Sequence, residues 1–345
     1  MNRYRGVKSM YSVYKRSVGL LVVALFCVCH ATGHAQDIQL VTEATTAASG
    51  AKWALIICGI PGDEDHHKLF SESIESLHQS LTTSLGFPAA NIHIQFGAEP
   101  SAEDGPAVAA AGGQATRSEL NAAVARLREE LQPSDALWVF VLGHAHYDGR
   151  NSYLNLPGAG DGETDIHQDD FGKLFQDIPA AQQVFFITTA VSGYFIRPLS
   201  AKGRVVITAT EADREVNETL FHAALAETLS EPTEKDKFDV DDDDKITLFD
   251  LYINVTQNVA RRYLAEMLLA TEHAQLDDNG DGRGTELQLD YLTEEEGGRV
   301  TPGSEPPKIR PNSDGHLAQQ IVLPIIFPAS DVAESLPEAP APLLE

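Results

Sequence analysis

Short apolar runs alternate along the chain with stretches of helical periodicity. Trp53–Cys58, Ala136–Leu142, Gln183–Thr188 and Arg204–Ala209 are rich in β-branched and aromatic residues and apolar at nearly every position. That pattern suits strands buried on both faces of a parallel sheet. Asn91–Phe96 alternates and predicts a further strand. Between the runs, Phe70, Ile74, Leu77, Leu81 and Leu85 recur at helical spacing until Gly86 and Pro88 stop them. Thr116-Arg117-Ser118-Glu119 reads as a capping box for a helix carrying Leu120, Val124, Leu127 and Leu131, ended by Pro133. A short helix is expected near 169–176, and another over 219–229. Strands alternating with helices predict an α/β fold with a mostly parallel central sheet. Residues 97–115, rich in Gly, Ala, Pro and acid, read as a mobile loop. The stretch after the 136–142 strand, through 154–158, reads as another loop.

The first 35 residues stand apart. Arg3, Arg5, Lys8, Lys15 and Arg16 make a basic start, Val18–Phe26 an apolar core, and Gly33-His34-Ala35 a small-residue cleavage point. This is the layout of a Sec-type signal peptide, and its apolar run is shorter than the ~20 residues of a full span. It predicts export to the periplasm or the exterior, no membrane attachment after cleavage, and a loose lead-in over 36–51. The chain beyond the signal carries 20 Lys and Arg against 51 Asp and Glu, a net of −31. That balance argues against nucleic acid or anionic membrane as partners and favours binding of cations. Cys27 and Cys29 fall in the signal, so Cys58 is left alone, with no internal disulfide to form. At the end of an apolar run it reads as a buried structural thiol.

After residue 230 the composition shifts. Residues 231–297 hold 19 acidic and 6 basic residues and predict a helix near 247–270 flanked by two acidic loops. In the first loop Asp239, Asp241 and Asp243 occupy positions one, three and five of a twelve-residue EF-hand-like calcium loop. Lys245 would ligate through its carbonyl, Ile246 is the apolar eighth residue, and Asp250 closes at twelve. Asp244 stands where a glycine is usual at position six. In the second loop Asp277, Asn279 and Asp281 supply the same 1-3-5 oxygens with Gly282 at six; Gln288 stands at twelve, so Glu286 is the candidate closing ligand. These oxygen sets predict structural Ca²⁺. Residues 298–345 form a Pro-rich tail, in which 320–323 is read as an edge strand and the last dozen residues as disordered.

The candidate chemistry lies where the apolar runs end. In open α/β sheets ligands bind beyond the carboxyl ends of the strands. One run ends in Gly143-His144-Ala145-His146, the next in Thr188-Thr189-Ala190-Val191-Ser192-Gly193, and a third in Thr208-Ala209-Thr210. Their order and spacing resemble the legumain-like branch of the caspase-fold cysteine peptidases over roughly residues 52–230. There a His-Gly pair and a Glu-Ala-Cys-x-Ser-Gly motif end successive strands. The resemblance implies a caspase-like three-layer domain, with the acidic helical segment as an appendage. It implies His144 at the base position, Ala190 at the nucleophile position, and His66, His67 and Thr210 near the substrate pocket. It also implies a peptide or protein ligand.

Ala190 is the departure that matters, because a methyl group cannot attack a carbonyl. The expected function is therefore an exported peptidase homologue without cysteine-dependent turnover, binding or scaffolding peptides. Two alternatives stay open. One is a hydrolase using Ser192, or another hydroxyl, with His144. The other is a metal-dependent hydrolase through His144, His146 and Asp148, which alternate along an extended tip.

Overall fold

A computed structural model describes residues 49–158, 165–212, 215–301 and 303–327. The expected signal peptide, most of the lead-in and the last part of the tail lie outside them. In chain order the main elements are β1 (Lys52–Cys58), α1 (Glu64–Thr83), β2 (Ile92–Phe96), α2 (Pro106–Ala109), β3 (Gly113–Gln114), α3 (Arg117–Glu130) and β4 (Ala136–Leu142). There follow β5 (Ala145–Tyr147), β6 (Ser152–Leu154), β7 (Ile166–His167), α4 (Gln168–Leu174), β8 (Gln182–Ile187), α5 (Ile196–Leu199) and β9 (Arg204–Thr208). The last are α6 (Phe221–Ser230), α7 (Lys235–Phe238), α8 (Leu248–Ala265) and β10 (Gln275–Asp277).

Seven strands form one sheet in the order β10-β9-β8-β4-β1-β2-β3, parallel except for β10. The continuous apolar runs serve two cores at once. Ala54, Ile56, Trp138, Phe140, Phe186 and Ile207 face one layer, built with α1, α6 and α8. Leu55, Ile57, Val139, Val141, Phe185 and Val206 face the other, built with α3, α4 and α5. Helices on both faces of a mostly parallel sheet make three layers, as the α/β expectation required. The chain leaves β1 toward β2 on one side and returns as β4 on the other. The crevice at the ends of β1 and β4 is thus the point where strand order reverses.

The helix starts follow local chemistry. Asp63 caps α1 by accepting from His66 N at 2.9 Å, and Thr116 caps α3 by accepting from Glu119 N at 3.2 Å. Cys58 is fully buried, and burial pushes its thiol well above the usual range, as a structural thiol requires.

Four sequence expectations are corrected here. Residues 97–115 are not an unstructured loop: Pro106 opens α2, and Gly113–Gln114 pair with β2. The stretch after β4 is a second, three-stranded antiparallel sheet, β5-β6-β7, turned where Asp148 accepts from Arg150 N and Asn151 N, each at 2.8 Å. Residues 320–323 are not an edge strand of the main sheet, which is closed instead by β10. Nor is 231–297 an appendage. Phe249, Tyr252 and Ile253 of α8 enter the same core as Phe140 and Phe186, and β10 pairs with β9. An amphipathic helix beside an uncovered sheet face buries its apolar stripe there rather than stand alone. The tail segment 314–323 packs beside α8, where Leu248 N donates to Ile321 O and Leu323 N to Ile246 O. Among the described residues no helix is long and apolar enough to cross a membrane.

Candidate functional site

The last register pair of β4 and β8 is Val141 and Ile187. His144 and Ala190 each lie three residues further, one at each tip. Close backbone approach shapes this end of the sheet. Gly59 N donates to Leu142 O at 3.0 Å. A Cβ on Gly143 (φ 111°) would come within 2.8 Å of Gly59 N, so only glycine fits there.

His144 is anchored at that point. Its Nε2 lies 2.9 Å from the Pro61 carbonyl, which can only accept. Nε2 therefore carries the proton, and Nδ1 is left as the basic nitrogen. His66 sits edge-on against its ring at a centroid distance of 4.8 Å, and Phe70 at 5.5 Å. His66 in turn meets Asp63 at 2.7 Å through Nδ1 and Glu218 at 2.9 Å through Nε2. Carboxylates on both nitrogens, Glu218 foremost, hold the His66 imidazole above its usual pKa.

The β8 tip carries several hydroxyls, all turned inward. Thr188 Oγ1 donates to Val141 O at 2.8 Å and Thr189 Oγ1 to Ala190 O at 3.1 Å. Ser192 is fully buried: its N–H donates to Thr210 Oγ1 at 2.8 Å, and its Oγ accepts from Thr210 N at 3.0 Å. Ser192 is thus committed to Thr210 rather than to His144, which removes the geometric basis for a serine nucleophile. Thr210 is equally buried and spends its hydroxyl on Ser192, so it lines no pocket. Between Ala190 and Ser192, Val191 holds a left-handed backbone (φ 47°), rare for a β-branched residue. Its N–H donates to Glu215 O at 3.0 Å.

The residues of the metal-hydrolase alternative are not gathered. His146 bonds Asn155 at 2.7 Å and stacks on Tyr153. Asp148 is spent on its own turn, whose amides hold its carboxyl down at about 2. Among the described residues the one group of histidine, cysteine and acidic side chains placed to share an ion is Asp239, Asp241 and Asp243.

His66 and His67 part company. His66 covers His144, whereas His67 faces a groove of about 1530 Å³ between α1 and residues 97–106. There its Nε2 lies 3.0 Å from both Asp104 oxygens, and Ser71 donates to Asp104 at 2.8 Å. Burial lifts the Asp104 carboxyl, but the Ser101 amide, His67 and Ser71 outweigh it and leave the group below its usual range. Glu64, Asp65, Glu72, Glu99 and Glu103 line the same groove.

In the first acidic loop the ligand atoms of Asp239, Asp241 and Asp243 lie within 4.8 Å of one another. Asp243 N and Asp244 N donate to the Asp239 carboxylate at 3.2 and 2.9 Å, and Lys245 N to Asp243 Oδ1 at 2.8 Å. Asp244 makes the sharp turn without a glycine, at φ 66°; a short polar side chain tolerates that region. Two expected ligands are corrected. Asp250 accepts from Val240 N on one oxygen and from Thr247 N and Oγ1 on the other, closing the capping box of α8 instead of the loop. Glu286 does not join Asp277 and Asp281 in a group of acidic side chains placed to share an ion; its carboxyl is raised by burial, with the charges of His273, Glu211 and Glu215 acting on it.

That cluster was not legible in the sequence. Glu215 is buried, contacts His273 Nδ1, and accepts from His273 N at 3.1 Å and Glu211 N at 2.8 Å. It ties the β8 tip to the approach to β10. His222 carried no signal either. It is 2 % exposed on α6, bonds Ser73 at 3.1 Å through Nδ1, packs on Phe70, and leaves Nε2 without a partner. Burial lowers its pKa to about 3. The only trace of His222 in the sequence is a polar residue within the helical apolar pattern of α6.

No protein-family model matches the chain, and no curated protein is significantly similar to it.

Proposed function

We propose that this chain is a peptide-binding protein on a caspase-like, legumain-type framework that has no cysteine-dependent turnover, stabilised by Ca²⁺ in its first acidic loop. One observation carries the reading: His144 and Ala190 each lie three residues beyond the last register pair of two neighbouring parallel strands, and the hydroxyls beside Ala190 are bonded into the core. A methyl group at that position leaves the His144 Nδ1 base with no proton to take. The neighbouring groove is dominated by carboxylates, which favours a ligand segment bearing Lys or Arg.

The acidic triad fits a hard cation. Three carboxylates converge, and Asp241 Oδ1 is buried without a hydrogen-bond partner. Asp239, Asp241 and Asp243 would hold the ion, which would neutralise their mutual repulsion.

Restoring the thiol tests the framework. Ala190→Cys is expected to hydrolyse peptide substrates that the parent leaves intact, and His144→Ala in that background to abolish the gain. A parent protein that cleaves peptides, and is silenced by substituting another hydroxyl, would overturn the reading. So would a folded Ala190→Cys variant that stays inert toward a broad peptide library.

A further inference from the structure

The loop after β10 repeats the backbone pattern of the loop before α8. In the first acidic loop, positive φ falls at positions four and six, Asp242 and Asp244; in the second it falls at the same positions, Gly280 and Gly282. In both, the amide of position seven donates to the side chain of position five: Lys245 to Asp243 at 2.8 Å, and Arg283 to Asp281 at 2.9 Å. Asn279 Oδ1 accepts from Asp281 N at 2.8 Å, which keeps the second loop wound.

An independent observation points to a ligand. Asp277, at position one, is 1 % exposed. Its Oδ1 accepts from Gly280 N at 3.1 Å, which turns the carboxylate into the loop, while Oδ2 has no hydrogen-bond partner. An unsatisfied buried polar group costs roughly 1–3 kcal/mol, more when charged, and calls for a cause. A cation is the natural one, since a carboxylate oxygen can only accept.

We propose that the loop from Asp277 to Glu286 is a second divalent-cation site of the calcium class. Its ligands are the carboxylates of Asp277 and Asp281, the amide oxygen of Asn279 and the carbonyl of Arg283, with water completing the shell. The proposal extends the calcium reading of the first loop and does not depend on it. The site lies where three parts of the fold meet. β10 pairs with β9. Gly282 N donates to Ser200 Oγ at 2.9 Å, just ahead of β9. Asp278, next to Asp277, accepts from Gly315 N at 3.0 Å and Ala318 N at 2.8 Å. A bound ion there would fasten the antiparallel edge strand to the sheet.

The test is a calcium titration of the full chain after removal of metal with a chelator, read by calorimetry and by equilibrium dialysis. The parent is expected to bind two ions per chain. Asp281→Asn, at an exposed position with its fold checked by circular dichroism, is expected to weaken one of them by roughly tenfold or more, as is the isosteric Asp277→Asn. Asp243→Asn is expected to weaken the other alone. A parent that binds one ion, lost in Asp243→Asn and untouched in Asp281→Asn, overturns the second site and leaves the first. One ion lost in Asp281→Asn and kept in Asp243→Asn upholds the second site and removes the first. No binding overturns both.

Discussion

At the ends of β1 and β4 the Gly59 and Gly143 backbones approach closely and His144 is fixed by Pro61, yet Ala190 beyond the end of β8 offers no reacting atom. In the loop before α8 three carboxylates converge although Asp244 stands where a glycine is usual. The two regions depart from their patterns in opposite ways. A backbone turn has several chemical solutions, because Asp reaches the left-handed region at a modest energetic cost. On the proposed peptidase framework, a missing nucleophile has none. Substitutions that disturb shape can therefore be absorbed by neighbours, while the loss of one atom type changes what the site can do.

The comparison can be broken most directly at the loop. Calcium at about a hundredfold over the first loop's dissociation constant should stabilise the parent by about 2.7 kcal/mol through that loop, seen as a raised melting temperature, and Asp239→Ala should remove that part of the shift. An unchanged midpoint with and without the ion would reduce the triad to a solvated acidic turn. Next comes the tip. Gly143→Ala adds a Cβ against the Gly59 backbone at a positive φ and should cost about 1–3 kcal/mol in chemical denaturation. Ser192→Ala removes the acceptor for Thr210 N and should cost about 1–3 kcal/mol. It should leave the activity of an Ala190→Cys background unchanged, and a selective loss of that activity would bring Ser192 back into the chemistry. Asp244→Gly should shift stability by less than about 1 kcal/mol, in the stabilising direction; a large loss there would show that the Asp244 side chain itself is needed.

The last effect is silent at neutral pH and shows only as a slope against pH. His222 is neutral in the folded chain, with its pKa lowered to about 3, and titrates near 6.5 when unfolded. Between those values the unfolded state binds the extra proton, so stability present above pH 6.5 is lost progressively toward pH 3. His222→Leu should flatten that limb of the acid denaturation curve; an unchanged curve would mean that other groups set it.

Legibility in the sequence tracks the length and purity of the apolar signal. β1, β4, β8 and β9 are continuous apolar runs, and their ends fall within a residue or so of expectation. β10 is hidden because only Leu276 of its three residues is apolar, so Gln275 and Asp277 merge with the adjoining acidic loop. The β5–β6 hairpin carries its Asp-Gly signal at Asp148-Gly149 but reads as a loop, since its strands are three residues each. At the candidate site His144 and Ala190 can be found from strand ends. Pro61 and Glu218 cannot: they reach His144 and His66 from 83 and 152 residues away in the chain. Asp250 illustrates the other difficulty. An acid three residues after a Thr serves a helix cap as readily as a twelfth ligand, and spacing alone does not choose between them.

The segment 314–323 touches both acidic loops. Asp278 receives the amides of Gly315 and Ala318, and Gln319 Nε2 donates to Asp241 Oδ2 at 2.5 Å. It acts as a shared buckle. A protease that nicked the chain ahead of Ser313 would loosen two distant turns in a single cut, although neither turn contains the cleaved bond.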